Sequence, residues 1–155
     1  MSDYFFDSSA LAKRYLSEVG TAWVRTLVAP ITGHTIWIAE LTEVEVASAL
    51  AARQRAPRGI TRQERDATVA LLALHCGSEY RLVALNRSIL DAAIDLTQRH
   101  RLRAYDAVQL ATALAANAAL LAAGLLGPTF VAADGDLIAA ARAEGLAADD
   151  PNLHP

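Results

Sequence analysis

Acidic residues recur in this sequence where predicted strands end or predicted helices begin. Asp7 directly follows the apolar run at 4–6, Asp106 opens the alanine-rich stretch "YDAVQLATAL", and Asp134 and Asp136 follow the run "TFVAA". In a parallel sheet flanked by helices these positions share one edge, so we expect the carboxylates to lie close together. Such a cluster can bind a divalent cation, although each residue taken alone is also a good helix cap or turn residue.

A further acid is expected from the helix after the second strand. The segment "AELTEVEVASAL" carries Glu40, Glu43 and Glu45, and helical spacing does not decide between them. Two carboxylates about 4 Å apart repel by about 4 kcal/mol at an effective dielectric constant of about 20. The cluster therefore needs a cation, and all-oxygen ligands suit Mg²⁺ or Mn²⁺. Zinc is disfavoured because the chain has one cysteine, Cys76, and four histidines without ligand spacing.

Short apolar runs alternate with helical patterns along the chain. The runs "DYFFD", "HTIWIA", "YRLVAL" and "TFVAA" predict strands, and helices are predicted between and after them. Fully apolar strands that alternate with helices are typical of a parallel sheet covered on both faces. We therefore predict one α/β domain over residues 1–148, with a central parallel sheet of four to five short strands flanked by helices, and an irregular tail over 149–155. No recognised motif covers residues 20–35.

The composition is that of a compact globular protein. Of the 155 residues 54% are hydrophobic and 20% charged, and the formal net charge is −3. No apolar stretch approaches the roughly 18 residues needed to span a bilayer, and the start lacks the features of a secretory signal. We expect a cytoplasmic location and no membrane partner, which a single cysteine also fits. Nucleic-acid contact requires a local basic patch, and the arginines of 53–65 or of 99–103 are candidates that also suit a solvated helix face.

Four motifs in this order resemble those of PIN-domain ribonucleases, specifically VapC-type toxins of prokaryotic toxin–antitoxin pairs. They are "DSSALAKRY", "LTEVEVASAL", "YDAVQLATAL" and "FVAADGDLIAAARAEGL", and together they span nearly the whole chain. The resemblance implies a PIN-like domain whose metal-binding and catalytic acids are Asp7, Glu45, Asp106 and Asp134. Glu45 is favoured over its rival Glu43 because "ASAL" follows it at the family's interval, and Asp136 is a candidate additional ligand.

The resemblance also implies a reaction and its partners. It implies an endoribonuclease dependent on Mg²⁺ or Mn²⁺ that cleaves cellular RNA with metal-activated water. Such a toxin forms a homodimer and is inhibited by a cognate antitoxin. Ser9 matches the family's small hydroxyl residue beside the acids. We also expect Lys13, the only lysine of the chain, and Arg14 to position the RNA backbone.

Three other interpretations compete with a nuclease. A receiver domain also holds Mg²⁺ in an acidic pocket, but it needs a lysine after a late strand, and the late strands here offer none. A phosphatase of the DxD type needs a second aspartate two residues after Asp7, where this chain has Ser9. A catalytically inactive PIN-like module would only dock a partner, and the full set of acids argues against that loss of activity.

Overall fold

Within residues 1–154, which the computed structural model describes, five short parallel strands form the centre of the molecule. In chain order they are β1 (Asp3–Phe6), β2 (Thr35–Ala39), β3 (Tyr80–Val83), β4 (Thr129–Val131) and β5 (Ala148–Asp149). They lie side by side in the order β3–β2–β1–β4–β5, and every neighbouring pair is parallel. The predicted fold class, a parallel α/β sheet of four to five strands, is confirmed.

Helices cover both faces of this sheet. In chain order they are α1 (Ser8–Tyr15), α2 (Thr21–Leu27), α3 (Glu40–Arg55), α4 (Arg62–Ser78), α5 (Arg87–Arg99), α6 (Ala104–Ala122) and α7 (Gly135–Ala143). All but α2 correspond to predicted helices, since α2 falls in the stretch that no motif covered. Among the described residues, no helix has the length and apolar character needed to cross a membrane.

Two hydrophobic cores form because successive strand residues point to opposite faces of the sheet. Phe5 of β1 stacks against Phe130 of β4, with ring centroids 5.9 Å apart, in the core shared with α5, α6 and α7. The next residue, Phe6, packs with Ile38 and Val131 in the core shared with α1 to α4. The sheet is therefore buried on both faces, as the apolar strand runs predicted.

The strand order places a crevice at the carboxyl edge of the sheet. From β1 the chain runs outward through β2 to β3, and it then crosses to the other side of β1 to form β4 and β5. The connections that leave β1 and β4 therefore diverge, and ligands bind at such a switch point in open α/β sheets. Asp7, directly after β1, and Asp134, three residues after the end of β4, are among the residues that the sequence singled out.

The tail differs from the prediction of an irregular segment over 149–155. Asp149 belongs to β5, and Pro151–Leu153 form a short 3₁₀ helix, while Pro155 lies outside the described residues. The His154 ring stacks on that of Trp23 in α2, with centroids 4.2 Å apart. At Gly20 (φ +84°), a Cβ would lie 2.2 Å from the Pro151 carbonyl oxygen. The two unpredicted elements thus pack on each other, a long-range dependence that local patterns do not reveal.

Candidate active site

Asp7 joins the end of β1 to the start of α1, and its side chain is buried, with 3% exposed. Its Oδ1 accepts hydrogen bonds from the Ala10 amide at 2.9 Å and from the Ser9 hydroxyl at 2.7 Å. Burial raises the pKa of Asp7 to about 7, against the effect of these hydrogen bonds, and the nearby Glu45 raises it further. Asp7 is therefore both a helix cap and a buried acid whose negative charge lacks compensation.

Glu45 is the acidic residue of α3 whose carboxylate lies near Asp7. Its Oε2 accepts a hydrogen bond from Gln109 Nε2 of α6 at 2.6 Å, and the same amide group contacts Thr42 Oγ1 at 2.9 Å. Glu43 acts elsewhere, because its charge raises the pKa of Cys76 in α4 after the larger effect of burial. The structure thus brings Glu45, and not Glu43, to the carboxyl edge. Gln109, a buried amide in the alanine-rich helix, fixes the Glu45 carboxylate and was not predicted from the sequence.

Asp106 and Asp134 face each other across a polar cleft of about 250 Å³. Asp106 lies in the first turn of α6, where its Oδ2 accepts a hydrogen bond from the Arg103 amide at 3.3 Å. Burial raises the pKa of Asp106, and the charge of Asp134 raises it further. Asp134 caps α7 by accepting from the Leu137 amide at 3.0 Å, and Asp136 lines the same cleft from an exposed position.

The four predicted acids therefore form two pairs, Asp7 with Glu45 and Asp106 with Asp134. Within residues 1–154, none of the four forms a salt bridge with a basic side chain. In the same range, no three His, Cys, Asp or Glu residues are grouped closely enough to hold a metal ion. The expected single cluster is thus looser than predicted, because Asp7 is buried beside the sheet whereas Asp134 starts a helix at the surface.

The chemistry of these acids fits a hard divalent cation. The donors are carboxylate oxygens, which are the ligands that Mg²⁺ and Mn²⁺ prefer. The carboxylate of Asp7 is disfavoured as an anion both by burial and by Glu45, and a divalent cation would offset both effects. The residues present at the carboxyl edge are therefore suited in type, charge and burial to such an ion.

The prediction that Lys13 and Arg14 lie beside the acids is corrected. Both residues are at the far end of α1, where Lys13 is about 9 Å from Asp7 along the helix axis. Lys13 is buried and its Nζ lies 3.3 Å from the Glu18 carboxylate. Arg14 lies 2.7 Å from the carboxylate of Glu79, which precedes β3. These two cations are therefore held at the amino edge of the sheet by local partners.

Arg101 and Arg103 are the basic side chains that line the acidic cleft. The basic group at 99–103 divides in two, because Arg99 and His100 both pair with Glu144. In the extended segment that follows, Leu102 joins the core while Arg101 and Arg103 stay exposed. In the sequence, basic and apolar residues alternate in "RLR" directly after a helix, and this pattern distinguishes these two arginines from the rest of the group.

The peptide before Asp134 is held from both sides. The Ala133 amide donates to the Ser9 hydroxyl oxygen at 2.8 Å, and the Ala133 carbonyl accepts from Asn152 Nδ2 at 3.3 Å. Ser9 thus links the loop that carries Asp134 to Asp7, which agrees with its expected place beside the acids. Asn152 belongs to the tail, and nothing in its local sequence indicated this contact.

Comparison with known proteins agrees with the observed fold. The PIN domain family model matches residues 4–126. No curated protein matches the sequence of this chain closely enough to count as a relative.

Three solved structures illustrate the similarity of the fold. FitAcB from Neisseria gonorrhoeae has a TM-score of 0.58 at 14% identity. The alignment covers 96% of this chain and 97% of the FitAcB chain. VapC20 of Mycobacterium tuberculosis, described as a toxin that cleaves the sarcin-ricin loop, has a TM-score of 0.61 at 18% identity and covers 94% and 96%. A toxin–antitoxin complex from Klebsiella pneumoniae has a TM-score of 0.55 at 16% identity and covers 86% and 88%.

At such low identity these structures show a shared fold. The family model, however, extends from β1 through α6 and contains three of the four predicted acids, Asp7, Glu45 and Asp106. The chain belongs to the PIN domain family.

Proposed function

We propose that this protein is a divalent-metal-dependent endoribonuclease and the toxin of a toxin–antitoxin pair. The observation that carries the proposal is the carboxyl edge of the sheet, where the buried carboxylate of Asp7 meets Glu45 and not a basic side chain. The exposed Arg101 and Arg103 share a cleft with Asp106 and Asp134 at the same edge. Acids that attract cations and arginines that attract phosphate together suit a metal-dependent reaction at a phosphodiester bond.

The acids would hold the ion, and the arginines would hold the substrate. Asp7, Glu45, Asp106 and Asp134 are the proposed ligands. A bound Mg²⁺ or Mn²⁺ supplies polarisation of the scissile phosphate and a lower pKa for attacking water. Asp136 is exposed in the same cleft and is available either as an additional ligand or to accept the proton that the water loses.

Three polar contacts keep the acids in position. Gln109 fixes the Glu45 carboxylate, Ser9 fixes Asp7 by a hydrogen bond, and the Ser9 hydroxyl oxygen also binds the loop before Asp134. Contacts of this kind, around the proposed ligands, orient them and are typically worth 10- to 100-fold in metal affinity or activity. Arg101 and Arg103 would contact phosphate oxygens, which positions RNA without reading its sequence.

The proposed partners are a cognate antitoxin protein and a second copy of the chain. The Klebsiella pneumoniae neighbour is a toxin–antitoxin complex, and this supports an antitoxin for the present chain. A small protein encoded next to this chain should co-purify with it after co-expression and should suppress its RNA cleavage. Light scattering on the protein alone should give the mass of a homodimer.

Cleavage of purified cellular RNA tests the activity directly. We expect cuts at discrete sites with Mn²⁺ or Mg²⁺ and none with EDTA, and sequencing of the new RNA ends would identify the target. Asp7→Asn should abolish the cuts. Asp66→Asn is the matched control, because it removes the same charge from an exposed position on α4 and should leave cleavage unchanged.

The alternative, a PIN-like module without catalysis, predicts a different result. This alternative would be favoured if no RNA is cut and if Mn²⁺ leaves the melting temperature of both the wild type and Asp7→Asn unchanged. Stabilisation of the wild type by Mn²⁺, lost in Asp7→Asn, would establish the metal site even before an RNA target is found.

A further inference from the structure

A mainly apolar hollow of about 420 Å³ adjoins Glu45, and none of its lining residues also lines the arginine-lined cleft. Its walls come from α3 and the start of α6, and they include Val44, Ala49, Ala52 and the ring of Tyr105. Glu45 also lines it, so the hollow opens directly onto one of the two acid pairs. Its volume falls within the roughly 300–1,000 Å³ typical of sites for small organic groups.

Tyr105 is the prominent side chain of this hollow. It is 62% exposed, although it is a large aromatic residue. Tyr4, Tyr15 and Tyr80 each pack against another aromatic ring, whereas among the described residues Tyr105 has no aromatic neighbour. One face of an exposed, unstacked ring is therefore available to a ligand.

The chain connectivity ties this hollow to the proposed site of reaction. Tyr105 directly precedes Asp106, and Ser8, which also lines the hollow, directly follows Asp7. Asp106 itself lines the polar cleft together with Arg101 and Arg103. An RNA strand whose phosphate lies at the acids therefore has both the arginines and an aromatic, apolar surface within reach.

We infer that this hollow is a nucleobase subsite that takes one unpaired base of single-stranded RNA, adjacent to the scissile phosphate and stacked on Tyr105. The inference rests on the proposed ribonuclease function and specifies how its substrate is held. Aromatic side chains stack on any base, because every base presents a flat face, and single-stranded RNA is recognised in this way. A continuous nucleotide joins the two surfaces, since its phosphate needs the polar cleft and its base needs the apolar hollow.

The experiment compares an intact substrate with one that lacks a single base. A short single-stranded RNA that carries an identified cleavage site is synthesised intact and with an abasic residue at each position beside the cut. We expect one abasic position to raise the KM of the wild type about tenfold. Tyr105→Ala should raise the KM for the intact RNA by a similar factor and should lose the discrimination against the abasic RNA.

Matched variants separate stacking from folding. Tyr105→Phe and Tyr105→Trp keep an aromatic ring and should stay close to the wild type. Leu126→Ala removes an exposed apolar side chain beyond the far end of α6 and should change nothing. The stabilisation by Mn²⁺ should be the same in Tyr105→Ala as in the wild type, which shows that the acids are undisturbed.

Three results would overturn the inference. If Tyr105→Ala and the wild type lose the same factor with abasic RNA at every position, the base does not stack on this ring. If Tyr105→Ala cuts RNA normally but no longer binds its co-expressed antitoxin, the hollow is a docking site for a protein. If the wild type cuts no RNA, the proposed function fails, and fluorescence anisotropy with intact and abasic oligonucleotides then decides on the subsite alone, where equal binding refutes it.

Discussion

The two edges of the sheet hold buried polar side chains in opposite ways. At the amino edge, Arg14 lies against the carboxylate of Glu79 and donates to the hydroxyl of Tyr80. At the carboxyl edge, the buried carboxyl group of Asp7 lies near a second carboxyl group, that of Glu45. One edge pairs opposite charges, whereas the other brings like charges together. The first arrangement stabilises the folded chain, and the second costs free energy that a bound cation would offset.

The amino edge is also closed by hydrogen bonds. The Tyr15 hydroxyl lies 2.8 Å from His75 Nδ1 and 2.7 Å from the Tyr80 hydroxyl. Burial raises the pKa of Tyr80 and lowers that of His75, so it disfavours a charge on either side chain. Within the described residues, no buried side-chain nitrogen or oxygen lacks a hydrogen-bond partner. What distinguishes the carboxyl edge is therefore its uncompensated charge, and not an absence of hydrogen bonds.

The largest effect is expected for Asp7→Asn. The substitution removes a proposed metal ligand, so RNA cleavage should fall by more than the roughly 100-fold upper range for residues that only support a ligand. Asparagine caps a helix as well as aspartate does, so α1 should keep its start. Without metal, the free energy of unfolding at pH 8 should rise, because the folded protein no longer holds a buried carboxylate whose pKa is raised to about 7.

The direction of this change in the free energy of unfolding distinguishes the carboxyl edge from the amino edge. Urea unfolding with EDTA, followed by circular dichroism, measures it in the wild type and the variant. A stabilised protein that no longer cuts RNA is the expected outcome. A clear loss of stability would mean that Asp7 serves mainly as a structural cap, and cleavage at the wild-type rate would remove Asp7 from the site.

Arg14→Ala should have the opposite signature at the amino edge. It leaves Glu79 and the hydroxyl of Tyr80 without their cationic partner, in a region where the Arg14 side chain is 14% exposed. Breaking such a partly buried pair should lower the free energy of unfolding by about 2–3 kcal/mol. RNA cleavage per folded molecule should not change, because Arg14 lies far from the acids.

The control for this prediction is Arg62→Ala. Arg62 pairs with Asp66 at 4.0 Å, and both side chains are mostly exposed. Exposed pairs contribute about 0–1 kcal/mol, so this variant should differ little from the wild type in urea unfolding. Two results would contradict this prediction. Arg14→Ala could lower the free energy of unfolding no more than Arg62→Ala does, or it could impair cleavage in a stable protein. Either result would mean that the amino edge does not serve stability alone.

The sequence predicted the carboxyl edge better than the amino edge, for a physical reason. Asp7 and Asp134 follow apolar strand runs, and parallel strands bring such positions to one edge, so their place at the same edge follows from local pattern and topology. Glu45 could not be separated from Glu43 by spacing, because the choice depends on which side of α3 meets α6 and Gln109. That contact joins residues 64 positions apart in the chain.

The roles of the cations were harder to predict. Lys13 and Arg14 follow Asp7 closely in the sequence, but nearly two helical turns carry them to the other edge of the sheet. Arg101 and Arg103 are far from Asp134 in the sequence, yet they line the same cleft as Asp134. The position of a basic side chain depends on which acidic side chains lie near it in the folded protein, such as Glu144 for Arg99. These neighbours are set by the tertiary structure and cannot be identified from the local sequence.

Arg101→Ala and Arg103→Ala sharpen the description of the carboxyl edge. Each removes an exposed cation from the acidic cleft, so each should weaken binding of single-stranded RNA several-fold at low salt. The slope of log K against log salt should become shallower by about 0.7 for each lost phosphate contact. Arg99→Ala is the matched control, because that side chain is held by Asp95 and Glu144. Equal salt slopes for all three variants would mean that the cleft arginines do not contact the RNA.

The smallest effect is expected for Asn152→Ala, which tests whether the tail supports the carboxyl edge. Asn152 Nδ2 donates to the Ala133 carbonyl, and Ser9 already holds the amide of the same residue, so the loop before Asp134 loses one of two supports. The concentration of Mn²⁺ that gives half of the thermal stabilisation should rise about threefold, below the usual range for residues that touch a ligand directly. His154→Ala removes the stacking on Trp23 and leaves the Asn152 side chain in place, so it should lower stability without shifting the Mn²⁺ midpoint. A shift of the midpoint in both variants would show that the whole tail matters for the metal site, whereas a shift in neither would confine its support to Ser9.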